Sequence, residues 1–195
     1  IPGGTGFIGF HLALFLKNKG WNVHTLSKHR PKKERKIRGV KYIYCDVSDK
    51  KKLESKIDTH YDYIVNLSGY VDHSDKSEII SSHYNGCKNL ASLFVRSKIK
   101  KYVQIGSSIE YGKIKSPQKE NKKNFQKTYS FYGKAKLLST KYLLNLKKKH
   151  GFPVTILRLY LIYGPHQDTN RIIPFTIMNA LHNKKFKCSQ GNQLR

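Results

Sequence analysis

The feature that most constrains this chain lies at its start. Gly3-Gly4-Thr5-Gly6-Phe7-Ile8-Gly9 runs without a break into the apolar stretch His11-Leu12-Ala13-Leu14-Phe15-Leu16. Glycines three residues apart, directly before a helical run, have a specific use. The first permits a tight turn, the second lets the backbone approach a pyrophosphate, and the third allows close packing against the helix. The helix start then offers free N–H groups and the positive end of its dipole to phosphate oxygens. Gly3, Gly6, Phe7, Ile8 and Gly9 are therefore candidate contacts to a dinucleotide.

The rest of the chain supports this. Short β-rich apolar segments alternate with longer segments of helical period, which predicts a parallel sheet with flanking helices. Strands are expected at 22–26, 40–45, 63–67, 102–105 and 154–159, and helices at 7–19, 51–57, 76–97, 131–150 and 172–183. In the 76–97 helix, Ile80, Tyr84, Cys87, Ala91 and Phe94 recur at steps of four and three, predicting one buried stripe. Residues 113–127 are polar and read as a loop. The fold class is α/β, a Rossmann-like doubly wound parallel sheet.

The end of the strand at 22–26 bears on the cofactor. A site for NAD ordinarily places Asp or Glu there, to bond the ribose 2′-OH. Here stand Ser27, Lys28, His29 and Arg30, with no acid before Glu34. A hydroxyl and cations suit a 2′-phosphate, so Ser27, Lys28 and Arg30 point to NADP in preference to NAD.

Chemistry enters with Tyr132 and Lys136. Their Y-x-x-x-K spacing puts both on one helix face, about one turn apart. A neighbouring ammonium favours the phenolate, so Tyr132 is expected below its ordinary pKa, as a general acid or base. Upstream, Gly106-Ser107-Ser108-Ile109-Glu110-Tyr111-Gly112 follows a predicted strand. A serine there can hydrogen-bond the same substrate oxygen.

Taken in order, these motifs resemble the NAD-dependent epimerase/dehydratase family, the extended short-chain dehydrogenase/reductases. Asp46-Val47-Ser48-Asp49, Asn66-Leu67-Ser68-Gly69, Arg158-Leu159-Tyr160-Leu161-Ile162-Tyr163-Gly164-Pro165 and the final Gln193-Leu194-Arg195 also match. The resemblance implies that Asp46 and Val47 hold the adenine edge and that Leu67, Ser68 and Gly69 line the dinucleotide. It makes Ser107, Tyr132 and Lys136 the catalytic set, with Lys136 also on the nicotinamide ribose. It assigns Ser108 and Arg195 to a nucleotide-sugar substrate and Asn85 to the site's edge, and it implies a homodimer. Read this way, residues 1–165 form the dinucleotide-binding domain. Residues 166–195 begin a substrate lobe, and the chain is a fragment lacking its first strand and most of that lobe.

Two departures refine the expectation. Family dehydratases carry an acid one or two places after the catalytic Ser/Thr, where this chain has Ser108 and Ile109. Glu110, one step further on an extended segment, would point elsewhere. The reading is therefore 4-keto reduction or 4-epimerisation of a nucleoside-diphosphate hexose, not 4,6-dehydration. Leu161 also replaces the Asn of R-x-x-N-x-Y-G, which blurs the substrate.

Two other classes are weighed against this enzyme. A dinucleotide-sensing module without catalysis would ordinarily lack the Tyr and Lys. The net charge of +26, from 38 Lys and Arg against 12 Asp and Glu, raises nucleic-acid binding. The lysines are spread along the chain, with no aromatic-interleaved stripe or recognition helix, so no nucleic-acid partner is expected. The field instead favours anionic ligands. The three cysteines form no CxxC or metal spacing, and no metal is expected. The mean hydropathy of −0.60 and the absence of a long apolar run predict no membrane span. With reduced thiols and no leader sequence, the location expected is cytoplasmic.

Overall fold

The computed structural model describes residues 1–72, 74–112, 117–120 and 130–190. Two compact units emerge, Ile1–Tyr160 and Leu161–Arg195.

The first unit is built on parallel strands. β1 (His24–Ser27) pairs with β2 (Lys41–Tyr44), and β3 (Tyr63–Asn66), β4 (Lys101–Ser107) and β5 (Val154–Leu159) form a second ladder in that order. Ile1 and Pro2 knit the two ladders together. Pro2 bridges Leu26 in parallel, Ile1 O accepts from Leu26 N at 3.1 Å, and Pro2 O accepts from Leu67 N at 2.8 Å. The spatial order is thus β2, β1, the 1–2 stub, β3, β4, β5. The expected strands all form, and β4 runs to Ser107, two residues beyond the sequence-based bound.

Helices α1 (Phe7–Asn18), α2 (Lys50–Lys56), α4 (Gly86–Phe94) and α5 (Phe131–His150) connect these strands. Phe10 and Ala13 of α1 pack with Val23, Ile37 and Val40 in one apolar cluster. A larger cluster joins Leu53 of α2, Cys87, Leu90, Ala91 and Phe94 of α4, and Leu143 and Leu146 of α5 to Leu26, Ile64, Tyr102 and Val154 of the strands. The period-2 burial of β4, with Tyr102, Gln104 and Gly106 buried, sets which of its side chains look inward. α5 is capped at both ends. The Ser130 hydroxyl accepts from Gly133 N at 3.0 Å, and Gly151 closes the helix at φ +64° after Lys147, Lys148, Lys149 and His150.

The expected 76–97 helix is interrupted. α3 (Lys76–Ile80) passes into a π-helical turn (Ser81–Asn85) before α4. The wider turn takes up one extra residue, so the α-period does not carry across it. The buried positions are Ile79 just before the turn and His83 within it, not the expected Ile80 and Tyr84.

In the second unit, α6 (Ile172–Leu181) follows Arg171 and ends at His182, whose Nδ1 lies 2.7 Å from Met178 O. No helix among the described residues is long and apolar enough to cross a membrane.

Candidate functional site

The glycine turn closes as the sequence implies. Gly3 sits at φ +78°, and a Cβ there would lie 2.5 Å from the Leu67 carbonyl. A Cβ on Gly9 would lie 2.3 Å from Gly3 O, so α1 begins hard against the turn. Gly6 is different: its Cβ would meet only Gly3 O, at 3.2 Å. Gly6 is also the N-cap of α1, which has no side-chain cap and no acid in its first turn. An open face over uncapped helix N–H groups is what a pyrophosphate requires, so the residues fit a dinucleotide.

The loop after β3 borders this turn. The Asn66 carboxamide oxygen accepts from Ser68 N at 3.1 Å and from the Ser68 hydroxyl at 2.5 Å, which fixes residues 67–69 beside Gly3. After β2, Asp46 Oδ1 holds Ser48 N at 2.9 Å, and its Oδ2 pairs with Lys28 Nζ at 3.2 Å. Burial pushes the Asp46 carboxyl up, but the Ser48 bonds and Lys28 outweigh it and hold it below the usual range. Asn89 of α4 donates to Val47 O and Ser48 O, clamping this loop. Lys28 is therefore partnered by an acid, Ser27 Oγ accepts from Thr5 N at 3.3 Å, and the Arg30 guanidinium lies over the Tyr44 ring.

Ser107, Tyr132 and Lys136 come together at the carboxyl end of β4, the side on which open α/β sheets bind ligands. The Ser107 hydroxyl lies close enough to the Tyr132 phenol to favour its ionised form. Lys136 Nζ stands 5.8 Å from the centre of the Tyr132 ring and donates to Ile105 O at 2.9 Å. The ionisation of this set differs from expectation. Burial pushes the Tyr132 phenol up, the nearby Ser107 hydroxyl opposes that rise, and the Glu110 charge adds to it. Burial also draws the Lys136 ammonium down to about 8, with Glu110 and Cys87 opposing that fall.

The segment after Ser107 also departs from expectation. Ser108–Tyr111 is a 3₁₀ turn rather than extended chain, with Ser107 as its N-cap. Ser108 is half-buried in that turn, and Ile109 is exposed. The turn sends Glu110 inward, where it is 1% exposed. Its Oε1 accepts from Ser107 N at 2.7 Å, and its Oε2 accepts from Thr140 Oγ1 at 2.6 Å and Arg158 Nε at 3.4 Å.

His83, which the sequence reading passed over, lies against this set. Its ring meets the Tyr132 ring edge to face at 5.1 Å, and its Nε2 lies 3.1 Å from Tyr70 O. Asn85, assigned to the site's edge, is exposed at the end of the π turn. The π insertion shifts the facing residue, and no spacing rule marks such an insertion in advance. Thr140 was also passed over, although a spacing marks it: Tyr132, Lys136 and Thr140 recur every four residues on one helix face. Arg195 lies outside the described residues. Among the described residues no cluster of His, Cys, Asp and Glu could hold a metal ion.

The chain matches the model of the NAD dependent epimerase/dehydratase family over residues 1–195. It is 27% identical to a dTDP-D-glucose 4,6-dehydratase of Dictyostelium discoideum, over 95% of this chain and 48% of that protein. It is 30% identical to a UDP-N-acetyl-alpha-D-glucosaminuronate decarboxylase of Bacillus cytotoxicus, over 93% of this chain and 60% of that protein. Among solved structures, the UDP-glucuronic acid 4-epimerase of Bacillus cereus, in complex with UDP-glucuronic acid and NAD, superposes with a TM-score of 0.78 at 22% identity. That match covers 94% of this chain and 62% of the epimerase. The chain thus spans about half to three fifths of the length of these proteins.

Proposed function

Because this chain belongs to the NAD dependent epimerase/dehydratase family, we propose that it transforms a nucleoside-diphosphate hexose at C4, by 4-keto reduction or 4-epimerisation, through Ser107, Tyr132 and Lys136. The observation that carries the reading is the convergence of three side chains: Ser107 at the end of β4 beside the Tyr132 phenol, and Lys136 one turn along α5 with its Nζ 5.8 Å from the Tyr132 ring centre.

When bound, the nicotinamide supplies or accepts the hydride at the sugar carbon. The chain's own groups do the rest. Tyr132 passes a proton between its phenol oxygen and the sugar oxygen. Ser107 donates to that same oxygen and stabilises the charge that develops there. A phenol kept protonated by burial is poised as an acid, which suits the reductive direction. Lys136 fixes the site's inner wall through Ile105 O.

Dehydration is disfavoured although dehydratases stand among the relatives, because Ser108 and Ile109 offer no acid. Glu110 is turned inward with both oxygens engaged. For the cofactor we favour NADP over NAD. The end of β1 carries no carboxylate, and Lys28, exposed beside the half-buried Asp46, can turn to a 2′-phosphate.

A panel of 4-keto and 4-hydroxy nucleoside-diphosphate hexoses, run with each cofactor on wild type and Tyr132→Phe, tests this. Turnover should fall on the order of 10²-fold or more in Tyr132→Phe, the range for loss of a general acid, with substrate binding retained. Near-wild-type turnover refutes the assignment. NADPH should bind more tightly than NADH; equal or tighter NADH binding refutes the cofactor preference.

A further inference from the structure

Outside the three residues just discussed, Glu110 is a buried charge with three side-chain hydrogen bonds. It is 1% exposed and lies directly beneath the strand end that carries Ser107. Its donors come from three elements: Ser107 N at the end of β4, Thr140 Oγ1 on α5 and Arg158 Nε on β5. Burying a carboxylate is costly unless hydrogen bonds surround it, so donors gathered from three elements must be held in register.

The local chain is shaped to admit this carboxylate. A Cβ at Gly106 would lie 2.5 Å from Glu110 Oε1, so the bare glycine leaves room for the carboxylate beneath the strand. The 3₁₀ turn after Ser107 delivers Glu110 inward and completes a capping box, Ser107 Oγ accepting from Ile109 N while Glu110 accepts from Ser107 N. Thr140 is the third member of the Tyr132, Lys136, Thr140 stripe, at steps of four along α5. The carboxylate therefore grips both partners whose separation matters: the backbone of Ser107 and the helix face bearing Tyr132 and Lys136. Arg158 is turned to the same purpose, its guanidinium 4.6 Å from the Tyr111 ring centre.

We propose that Glu110 is a positioning residue that sets Ser107 against Tyr132 by tying the end of β4 to the Tyr132–Lys136–Thr140 face of α5. The proposal rests on the reaction reading above for its kinetic consequence, but not for its structural one. Glu110 touches no substrate; its effect passes through Ser107 and α5. The charge it places beside Tyr132 also keeps the phenol protonated.

The test uses the full chain with Glu110→Gln, Thr140→Val and Thr140→Ser. Three quantities are read: hydrogen exchange of the Ser107 amide by NMR, the dissociation constant for the dinucleotide, and kcat and KM for the sugar nucleotide. In Glu110→Gln the Ser107 amide should exchange faster by about tenfold, the equivalent of one weakened charge-assisted hydrogen bond. Its kcat should fall by about 10- to 100-fold with KM and dinucleotide affinity within about twofold, since misplacing a catalytic group by about 1 Å has that effect. Thr140→Val should move both readouts the same way by less, and Thr140→Ser, which keeps the hydroxyl, should restore wild-type values.

Unchanged Ser107 exchange in folded Glu110→Gln overturns the proposal, as does unchanged kcat in an active enzyme. Should Glu110→Gln not fold, the threonine pair decides: indistinguishable Ser107 exchange in Thr140→Val and Thr140→Ser overturns it. If wild type turns over no sugar nucleotide while Ser107 exchange still responds to Glu110→Gln, the reaction reading fails and the hold of Glu110 on Ser107 stands.

Discussion

Gly6→Ala and Gly9→Ala place the same methyl three residues apart and should fail in opposite ways. At Gly9 the added carbon would sit 2.3 Å from Gly3 O, 2.6 Å from Gly4 Cα and 2.9 Å from Gly4 C. All three are backbone atoms, which cannot rotate aside, so the turn has to open or α1 has to shift. Overpacking of this kind costs about 1–3 kcal/mol, and backbone contacts this short belong at the upper end. For a chain of this size about 3 kcal/mol corresponds to a fall of roughly 6–12 °C in Tm. At Gly6 the methyl meets only Gly3 O at 3.2 Å, and the backbone, at φ −75° and ψ 176°, is one any residue adopts. Stability should hold within about 2 °C, below the shift of a 1 kcal/mol change. The methyl instead occupies the open side over the α1 N-terminus, so dinucleotide affinity should fall by about tenfold or more, some 1.4 kcal/mol. Thermal unfolding and a fluorescence titration with the dinucleotide separate the two effects. Wild-type Tm in Gly9→Ala, or wild-type affinity in Gly6→Ala, would refute the reading of the turn.

Lys136→Met should abolish turnover yet stabilise the protein at pH 7. The folded value of about 8 lies below the ordinary 10.5, so wild type carries its ammonium at a cost that is full below pH 8 and relieved as pH rises towards 10.5. That cost is at most about 3 kcal/mol and is partly offset by the bond to Ile105 O, so denaturant midpoints should show the variant's lead shrinking from pH 8 to pH 10. A thiol reagent at pH 7 should modify one cysteine per native chain, Cys188. Cys45 and Cys87 are buried, and burial pushes the Cys87 thiol up to about 12; mass spectrometry showing fast modification at Cys87 would refute its burial.

The strands, α5 and the glycine turn were legible because each is specified locally. Apolar β-rich runs, helical period and a glycine spacing need no knowledge of partners. The Ser107, Tyr132 and Lys136 grouping was legible for a related reason: one residue ends a strand and the other two share a helix face. What escaped was non-local or irregular. The π turn moved the buried stripe from Ile80 and Tyr84 to Ile79 and His83, because its extra residue is absorbed without any composition signal. The 3₁₀ turn after Ser107 inverted the expected direction of Glu110, since a strand's alternation stops where the strand does. The ionisation of Tyr132 was misjudged because spacing fixes which charges are near but not how deeply they are buried.

Burial also explains why the glycine turn and the proposed Ser107, Tyr132 and Lys136 set can act as one site. Leu67 N donates to Pro2 O, and Gly3 has no room for a Cβ against Leu67, so the loop after β3 moves only with the glycine turn. Asn66, 1% exposed, holds Ser68 with its oxygen and donates to Gln104 Oε1 at 2.8 Å. Gln104 Nε2 and Lys136 Nζ then share one acceptor, Ile105 O, at 3.1 and 2.9 Å. Each link is buried or half-buried, where a lost hydrogen bond leaves a polar group unsatisfied and costs more than the bond itself contributes. The chain of contacts therefore sets the Lys136 ammonium relative to the loop at 67–69 with little freedom. Gln104→Leu should accordingly disturb dinucleotide affinity and turnover together, whereas Tyr132→Phe should touch turnover alone.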